Sequence, residues 1–300
     1  MRTKSVGKKE DIQRLLRCSL FLWELGAVLA QVAQCSSRPP GSSMMGAAAA
    51  SRALKGRAEK MEVSPTHYVL KTPMEGPWPA KMKVCVLANG CFWGSEKGFW
   101  RLPGGGVYST AVGYAAGRTP NPTYEECCSG QTGATEAVQV VYDPEKVSMV
   151  DLLRWFWESH DPTQGNGQGN DRGTQYRSAL IFFDREQEEL MRASKDAYEK
   201  ALQAAGKGMG PRITTEIVAA SDFEQPFYYA EDYHQQYLAK PGARPYCSAQ
   251  PLQVPLPPFE EWANASLAHH APKLSEDFWK QHAPKAHCVI RAPHEPIKFF

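Results

Sequence analysis

Apolar side chains recur along this chain with two different periods. Over 82–88 (MKVCVLA), Met82, Val84, Val86 and Ala88 alternate with Lys83, Cys85 and Leu87, the period of a strand buried on at least one face. Segments 107–114 (VYSTAVGY) and 135–142 (TEAVQVVY) repeat it. Tyr108, Thr110, Val112 and Tyr114 share one face of the first, and Glu136, Val138, Val140 and Tyr142 one face of the second. Segments 178–183 and 213–220 read as further strands. Between them the spacing turns helical. Phe92, Glu96, Phe99 and Trp100 follow the Asn89-Gly90 turn and are stopped by Pro103 and three glycines. Val150, Leu153 and Trp157, widened by Met149 and Phe156, follow a Ser148/Asp151 capping box, with Asp151, Arg154 and Glu158 expected to face water. An Asp184 cap opens a long amphipathic helix to about Ala205 with Leu190, Met191, Ala197, Tyr198, Ala201 and Leu202 inward.

The remaining segments are less periodic. Loop 164–173 (QGNGQGNDRG) lacks the Lys-Ser/Thr ending of a phosphate loop and reads as a constrained site loop, with Asp171 and Tyr176 at its far end. Segment 226–238 (PFYYAEDYHQQYL) surrounds His234 with aromatic rings, either a surface helix or a wall of the site. Three regions follow from these shifts in pattern: a disordered or targeting segment at 1–60, a catalytic domain at 61–247, and a Pro-rich tail at 248–300 that wraps the domain. The Ala/Arg/Ser-rich, acid-poor stretch after Met44 has the flavour of an organelle presequence, so a cytoplasmic or mitochondrial location is expected.

Bulk properties narrow the class. A net charge of +2 with no Lys/Arg run argues against dedicated nucleic-acid binding. The apolar stretch 20–32 is too short, and interrupted by Glu24, to span a bilayer comfortably. The eight cysteines form no CxxC and no Cys/His set with zinc-ligand spacing, so no metal or other cofactor is expected. Scattered single thiols suit a reducing compartment with redox chemistry.

Two residues carry candidate chemistry. Cys91 sits where a strand hands over to the first turn of a helix. Unpaired N–H groups and the helix dipole favour an anion there, so a thiol pKa below its usual value of about 8.5 is expected. Glu136 shares its strand face with Val138, Val140 and Tyr142. Such a setting disfavours the carboxylate and raises its pKa, as a general acid requires. Two rivals stand beside a redox reading. One is a Cys/His hydrolase pairing Cys91 with His160 or His234; the other is a non-catalytic peptide binder that keeps the aromatic pocket.

Taken together, Gly90-Cys-Phe-Trp-Gly94, Gly113-Tyr114, Asn121-Pro-Thr-Tyr124, Cys128-Ser-Gly, Thr132-Gly133 and Glu136 resemble the A-type peptide methionine-S-sulfoxide reductases. His160-Asp-Pro-Thr163, Gln168-Gly-Asn-Asp171, Gly173-Thr-Gln-Tyr-Arg-Ser178 and Ala230-Glu-Asp-Tyr-His-Gln-Gln-Tyr237 extend the likeness in the same order, over about 82–247. The resemblance implies an α/β two-layer sandwich of a mixed sheet with packed helices, in agreement with the order of elements above. It implies thiol-dependent reduction of the S-epimer of methionine sulfoxide, free or in proteins, as repair of oxidised proteins by a monomer. Cys91 matches the nucleophile, Glu136 the acid, and Tyr124 and Tyr176 the phenols that bind the sulfoxide oxygen. Phe92 and Trp93 match the seat of the S-methyl group, and Asp171 a carboxylate that orders the site. Cys247 matches the resolving thiol that takes the Cys91 sulfenic acid to a disulfide, which thioredoxin then reduces. The sequence departs from the pattern where Pro255 precedes Leu256-Pro-Pro, a place where relatives with a second recycling cysteine carry it. Cys288 is then the candidate recycling thiol, while Cys85, Cys127 and Cys128 read as packing or incidental.

Overall fold

The computed structural model describes residues 54–299 apart from Pro211, and Cys288 through its backbone alone. The expected targeting segment therefore lies, as far as residue 53, outside the described residues. Its last part, 54–60, is docked: the Arg57 guanidinium donates to both carboxylate oxygens of Glu126 (3.0 and 2.9 Å) and to the Asn121 carbonyl at 2.6 Å.

The strands are β1 (Lys83–Asn89), β2 (Val107–Ala115), β3 (Thr135–Tyr142), β4 (Gly167–Gln168), β5 (Asp171–Arg172), β6 (Ser178–Phe182), β7 (Glu216–Ala219) and β8 (Phe227–Tyr229). The helices are α1 (Phe92–Trp100), α2 (Tyr124–Cys128), α3 (Met149–Glu158), α4 (Arg185–Ala205), α5 (Glu276–His282) and α6 (Cys288–Arg291). Six strands form one mixed sheet in the order β7-β6-β1-β3-β2-β8, antiparallel except for the parallel β6/β7 pair. β1 thus lies inside the sheet, hydrogen-bonded on both edges, and its end is a fixed point from which Cys91 projects.

The two-residue alternation sorts side chains between two buried faces. Cys85, Leu87, Val112, Tyr114, Val138, Val140, Tyr142 and Leu180 meet Phe92, Phe99, Leu153, Trp157, Leu190 and Tyr198 from the helices in the main core. The other face is built of smaller residues (Val86, Ala88, Ala111, Ala137, Ala179 and Ile181) and is covered by Met74, Phe227 and Val63. The expected capping box of Ser148 with Asp151 forms at α3, and the structure adds a second, Thr123 with Glu126 at α2, where Arg57 grips the same carboxylate.

The outer side of α3 departs from expectation. Asp151 and Glu158 are buried and Arg154 half-buried, because the tail lies across them. Asp151 accepts from the Lys273 and Leu274 amides at 2.9 and 3.2 Å, and Glu158 from the Leu256 amide at 2.9 Å. Arg154 pairs with Glu276 while its guanidinium covers the Trp279 ring at 4.7 Å. Val254, Leu256, Phe259, Leu267, Phe278 and Trp279 of the tail are all buried against the main core. Each such large side chain contributes roughly 1.5–3 kcal/mol relative to exposure, which gives the tail apolar anchors as well as polar ones.

Segment 226–238 forms no α-helix. It runs as β8 and then as single 3-10 turns at Asp232–His234 and Tyr237–Ala239. The Gln235 side chain continues the sheet pairing where β8 stops, accepting from Val112 N–H and donating to Val112 C=O, both at 2.9 Å. Gln236 adopts a left-handed conformation (φ 47°) that breaks any helix. Among the described residues, no helix is long and apolar enough to cross a membrane.

Candidate active site

Cys91 is the residue immediately before α1. Gly90 turns the chain there with φ +98°, and a Cβ at that position would stand 2.8 Å from the Gln168 side chain, so only glycine fits. Asn89 at the end of β1 is tied down on both sides: its amide donates to Ser159 Oγ at 2.8 Å, and its oxygen accepts from Ser95 Oγ. The strand-to-helix turn is therefore held from both flanks, and Cys91 enters a site built by five other segments.

Glu136 comes from the start of β3, opposite Tyr114 in the register of β2 and β3. It is buried, and its Oε2 accepts from the Phe92 N–H at 2.9 Å. Burial pushes its carboxyl pKa up to about 8; the Phe92 amide opposes the shift and the Asp171 charge adds to it. The neutral acid is the form the site favours, as its strand face led us to expect.

Cys91 corrects the expectation of a lowered thiol pKa. The Trp93 N–H does favour the thiolate, as a helix start should. Burial outweighs it, however, and Glu136, Asp171 and Cys247 add negative potential, so the thiol is pushed well above its usual value. The resting site holds a neutral thiol beside a neutral acid.

Tyr124 opens α2, its backbone N–H donating to Glu231 Oε1 at 2.8 Å; the other Glu231 oxygen accepts from Tyr114 Oη at 2.9 Å. Tyr176 closes the 3-10 turn Thr174–Tyr176, where its phenol and that of Tyr124 influence each other electrostatically. Burial raises the pKa of both phenols, keeping them as donors. Asp171 begins β5, in the short β4/β5 hairpin that the Gly/Asn-rich loop becomes. Its Oδ1 accepts from Tyr246 Oη at 2.5 Å, while its Oδ2 is buried without a hydrogen-bond partner.

The apolar wall is aromatic. Phe92 is buried, and half-buried Trp93 stacks on Tyr237 with centroids 3.9 Å apart and planes at 17°. The Trp93 indole N–H donates to His234 Nδ1 at 3.1 Å, and the His234 ring also lies against Phe92 and Tyr124 at 5.1 and 4.9 Å. Burial lowers the His234 pKa to about 4, with Glu231 opposing, so His234 is a neutral spacer here. His160 is engaged at both ring nitrogens, by the Phe156 carbonyl at 2.8 Å and Ser178 Oγ at 2.9 Å. Neither histidine supplies the base that a Cys/His hydrolase needs beside its nucleophile.

Cys247 is buried against α1. A Cβ built on Gly94, three residues beyond Cys91, would stand 2.7 Å from the Cys247 sulfur, so the missing side chain at Gly94 is what admits it. Cys91, Cys247 and Gly94 line one cavity. The side chain of Cys288 lies outside the described residues; its backbone begins α6, which packs on α1. Cys85 and Cys127 are buried and Cys128 is exposed.

Sequence reasoning singled out neither Glu231, Tyr246 nor Arg57, which position Tyr124, Asp171 and α2. Glu231 stood inside a quoted motif and Tyr246 beside Cys247, but nothing local revealed what either would hold. Among the described residues, one group could hold a metal: Glu186, His269 and His270, with ligand atoms within 4.8 Å of one another, none of them a residue of this site.

Comparison with known proteins agrees with this arrangement. The family model described as peptide methionine sulfoxide reductase matches residues 83–263. The chain is 53% identical over 209 residues to the peptide methionine sulfoxide reductase MsrA 1 of Synechocystis, covering 70% of this chain and 90% of that protein. It is 55% identical over 208 residues to the MsrA of Azotobacter vinelandii, covering 69% and 91%. Among solved structures, the methionine sulfoxide reductase A of Corynebacterium diphtheriae superposes with a TM-score of 0.59 at 43% identity, over 70% of this chain and 94% of that one.

Proposed function

Because the chain belongs to the peptide methionine sulfoxide reductase family, and is thus an oxidoreductase acting on methionine sulfoxide, we propose that it reduces the S-epimer through a Cys91 sulfenic acid and a Cys91–Cys247 disulfide. The single observation that carries this reading is the Phe92 N–H to Glu136 hydrogen bond. It fixes a neutral carboxylic acid beside the first residue after the nucleophile.

In this reading the sulfoxide methyl group rests on Phe92 and Trp93, and its oxygen points at Glu136, Tyr124 and Tyr176. The Cys91 sulfur attacks the sulfoxide sulfur; an S–S bond forms, and the oxygen takes the Glu136 proton. The proton released from the thiol restores the acid. Transfer of the oxygen to Cys91 breaks the new bond and releases methionine, so the substrate sulfur gains two electrons and the cysteine loses two. Cys247 then attacks the sulfenic acid, forms the disulfide and expels water. A protein dithiol of the thioredoxin class completes the cycle. A thiol with a raised pKa suits this route, because polarisation of the S–O bond by the acid and the phenols draws the thiolate out only when substrate is present.

The test is consumption of S- against R-methionine sulfoxide with dithiothreitol, together with trapping of the oxidised thiol. Loss of the S-epimer alone, with a dimedone adduct at Cys91 in Cys247→Ser enzyme, supports the reading. Equal use of both epimers, or Cys91→Ser enzyme retaining even about a tenth of the activity where a hydroxyl is so much weaker a nucleophile, overturns it.

A further inference from the structure

Beyond residue 263 the chain returns to the helix that follows Cys91. α6 packs on α1, and the latch between them is polar and specific. Lys97 of α1 is 1% exposed, and its Nζ donates to the Ala292 carbonyl at 3.0 Å and lies 3.2 Å from His294 Nδ1. Trp100 Nε1 donates to the His294 carbonyl at 2.7 Å, and the Ile297 N–H donates to the Arg101 carbonyl at 2.8 Å. Pro284, Lys285 and Val289 of this segment share with Cys91, Gly94 and Cys247 the lining of a cavity of about 20 Å³. That is room for one water molecule. Val289 Cγ2 stands 3.6 Å from the point where a Gly94 Cβ would be, beside the Cys247 sulfur.

We propose that residues 284–297 form a strap over Cys91 and Cys247 that sets which reductant regenerates the enzyme, with Lys97 as its latch and Val289 as its plug. The proposal rests on the reading of Cys91–Cys247 as the disulfide of the cycle. To reduce that disulfide, a thiolate of the reductant must bond to the Cys247 sulfur. The S–S bond then breaks, and Cys91 leaves and takes a proton. The second thiol of the reductant attacks the mixed disulfide, frees Cys247 and departs with the reductant oxidised. Cys247 is buried beside this strap, so a thiol reaches its sulfur only when the strap parts. A small dithiol needs only a local opening at Val289, whereas a protein thiol, carried on a broad surface, needs the strap lifted off α1. Ala292 is only half-buried and His294 exposed, so the latch sits in a segment with little cover and a low cost of local opening.

Per-site alkylation by N-ethylmaleimide, read by mass spectrometry on the reduced full-length chain, tests the covering. In the wild type, Cys247 should react far more slowly than exposed Cys128. Lys97→Met, which keeps the buried stem but removes the latch, should raise the Cys247 rate about tenfold, the effect of one charged hydrogen bond on an opening equilibrium. Val289→Gly should raise it as well, with buried Cys85 unchanged in both variants as a sign that the fold is intact. Turnover tests the selection: both variants should gain several-fold in thioredoxin-supported rate relative to the dithiothreitol-supported rate. Equal Cys247 alkylation in wild type and both variants overturns the strap. Faster alkylation with an unchanged ratio of the two turnover rates overturns its role in reductant choice. Failure to find a Cys91–Cys247 disulfide in oxidised wild type would overturn the cycle, and reductant choice with it, while alkylation still decides whether the strap exists.

Discussion

The Phe92 backbone N–H donates to Glu136 Oε2 across 44 residues of sequence at 2.9 Å. The first amide of α1 is thereby satisfied by a carboxyl group from the neighbouring strand, and no side chain at Cys91 caps the helix. One hydrogen bond joins the segment that carries the thiol to the strand that carries the acid. A shift in either would be felt by both, and the consequences are measurable.

Glu136→Gln keeps size and a hydrogen-bond donor but loses the transferable proton. We expect the single-turnover reduction rate to fall by about 100-fold or more, the scale of a positioned general acid. In the wild type that rate should be full at neutral pH and decline as pH rises through about 8, where the acid ionises. An unchanged single-turnover rate in the variant would move the proton to Tyr124 or Tyr176.

The same group makes stability depend on pH. With its folded pKa raised to about 8, Glu136 keeps a proton that the unfolded chain releases near its ordinary carboxyl value. Its contribution is therefore full below that ordinary value and is lost as pH rises to about 8. Glu136→Gln, having no such proton, should gain thermal stability relative to wild type between pH 6 and pH 9. Melting curves at the two values check this; a constant difference between the proteins would refute it.

Cys91 should alkylate slowly at neutral pH despite its place at a helix start. Its iodoacetamide rate should rise with pH beyond the range of an ordinary thiol, because burial and nearby carboxyl groups oppose the thiolate. Glu136→Gln removes the charge of one of them and should shift the profile toward lower pH. A wild-type profile centred below about 8.5, the ordinary thiol value, would contradict the electrostatics described here.

Cys247→Ser should still release one equivalent of methionine per enzyme but fail to turn over with thioredoxin, since the sulfenic acid then has no partner thiol. Cys288→Ser should form the Cys91–Cys247 disulfide normally. A match to the wild type with both reductants leaves direct attack on Cys247, as the strap requires; slowing with thioredoxin but not with dithiothreitol would instead make Cys288 a relay that carries the disulfide onward.

The hold of the tail on α3 should be visible in equilibrium unfolding. Asp151→Ala removes the α3 capping partner and strands the Lys273 and Leu274 amides. Loss of a cap and of two buried acceptor bonds should cost about 3 kcal/mol. Urea denaturation followed by Trp fluorescence measures it. A cost below about 1 kcal/mol, the usual worth of a cap alone, would mean that the tail amides contribute little.

Several features were legible in the sequence because they depend on neighbours a few residues apart. The period of two in 135–142 put Glu136 on an apolar face, and the structure buries that face under helices. The Ser148 and Asp184 caps, the Asn89-Gly90 turn and the position of Cys91 between strand and helix follow from local backbone chemistry. The ordered motifs gathered Cys91, Glu136, Tyr124, Tyr176 and Asp171 into one expected site before any distance was known.

Tertiary structure decided the rest, where the outcome depends on what lies across the chain. The sign of the Cys91 pKa shift depends on how completely the thiol is covered and on carboxyl groups 45 and 80 positions away, neither of which a helix-start rule can see. Asp151 and Glu158 read as solvent-facing because helical periodicity reports one buried stripe, whereas the second was created by a tail about a hundred residues downstream. Cys247 packs on α1, one turn from Cys91, because Gly94 lacks a Cβ, a complementarity between two segments with no trace in either alone. Backbone preferences are set by bonds a few residues long, while desolvation and sulfur-to-sulfur proximity are set by whatever the finished fold packs against them.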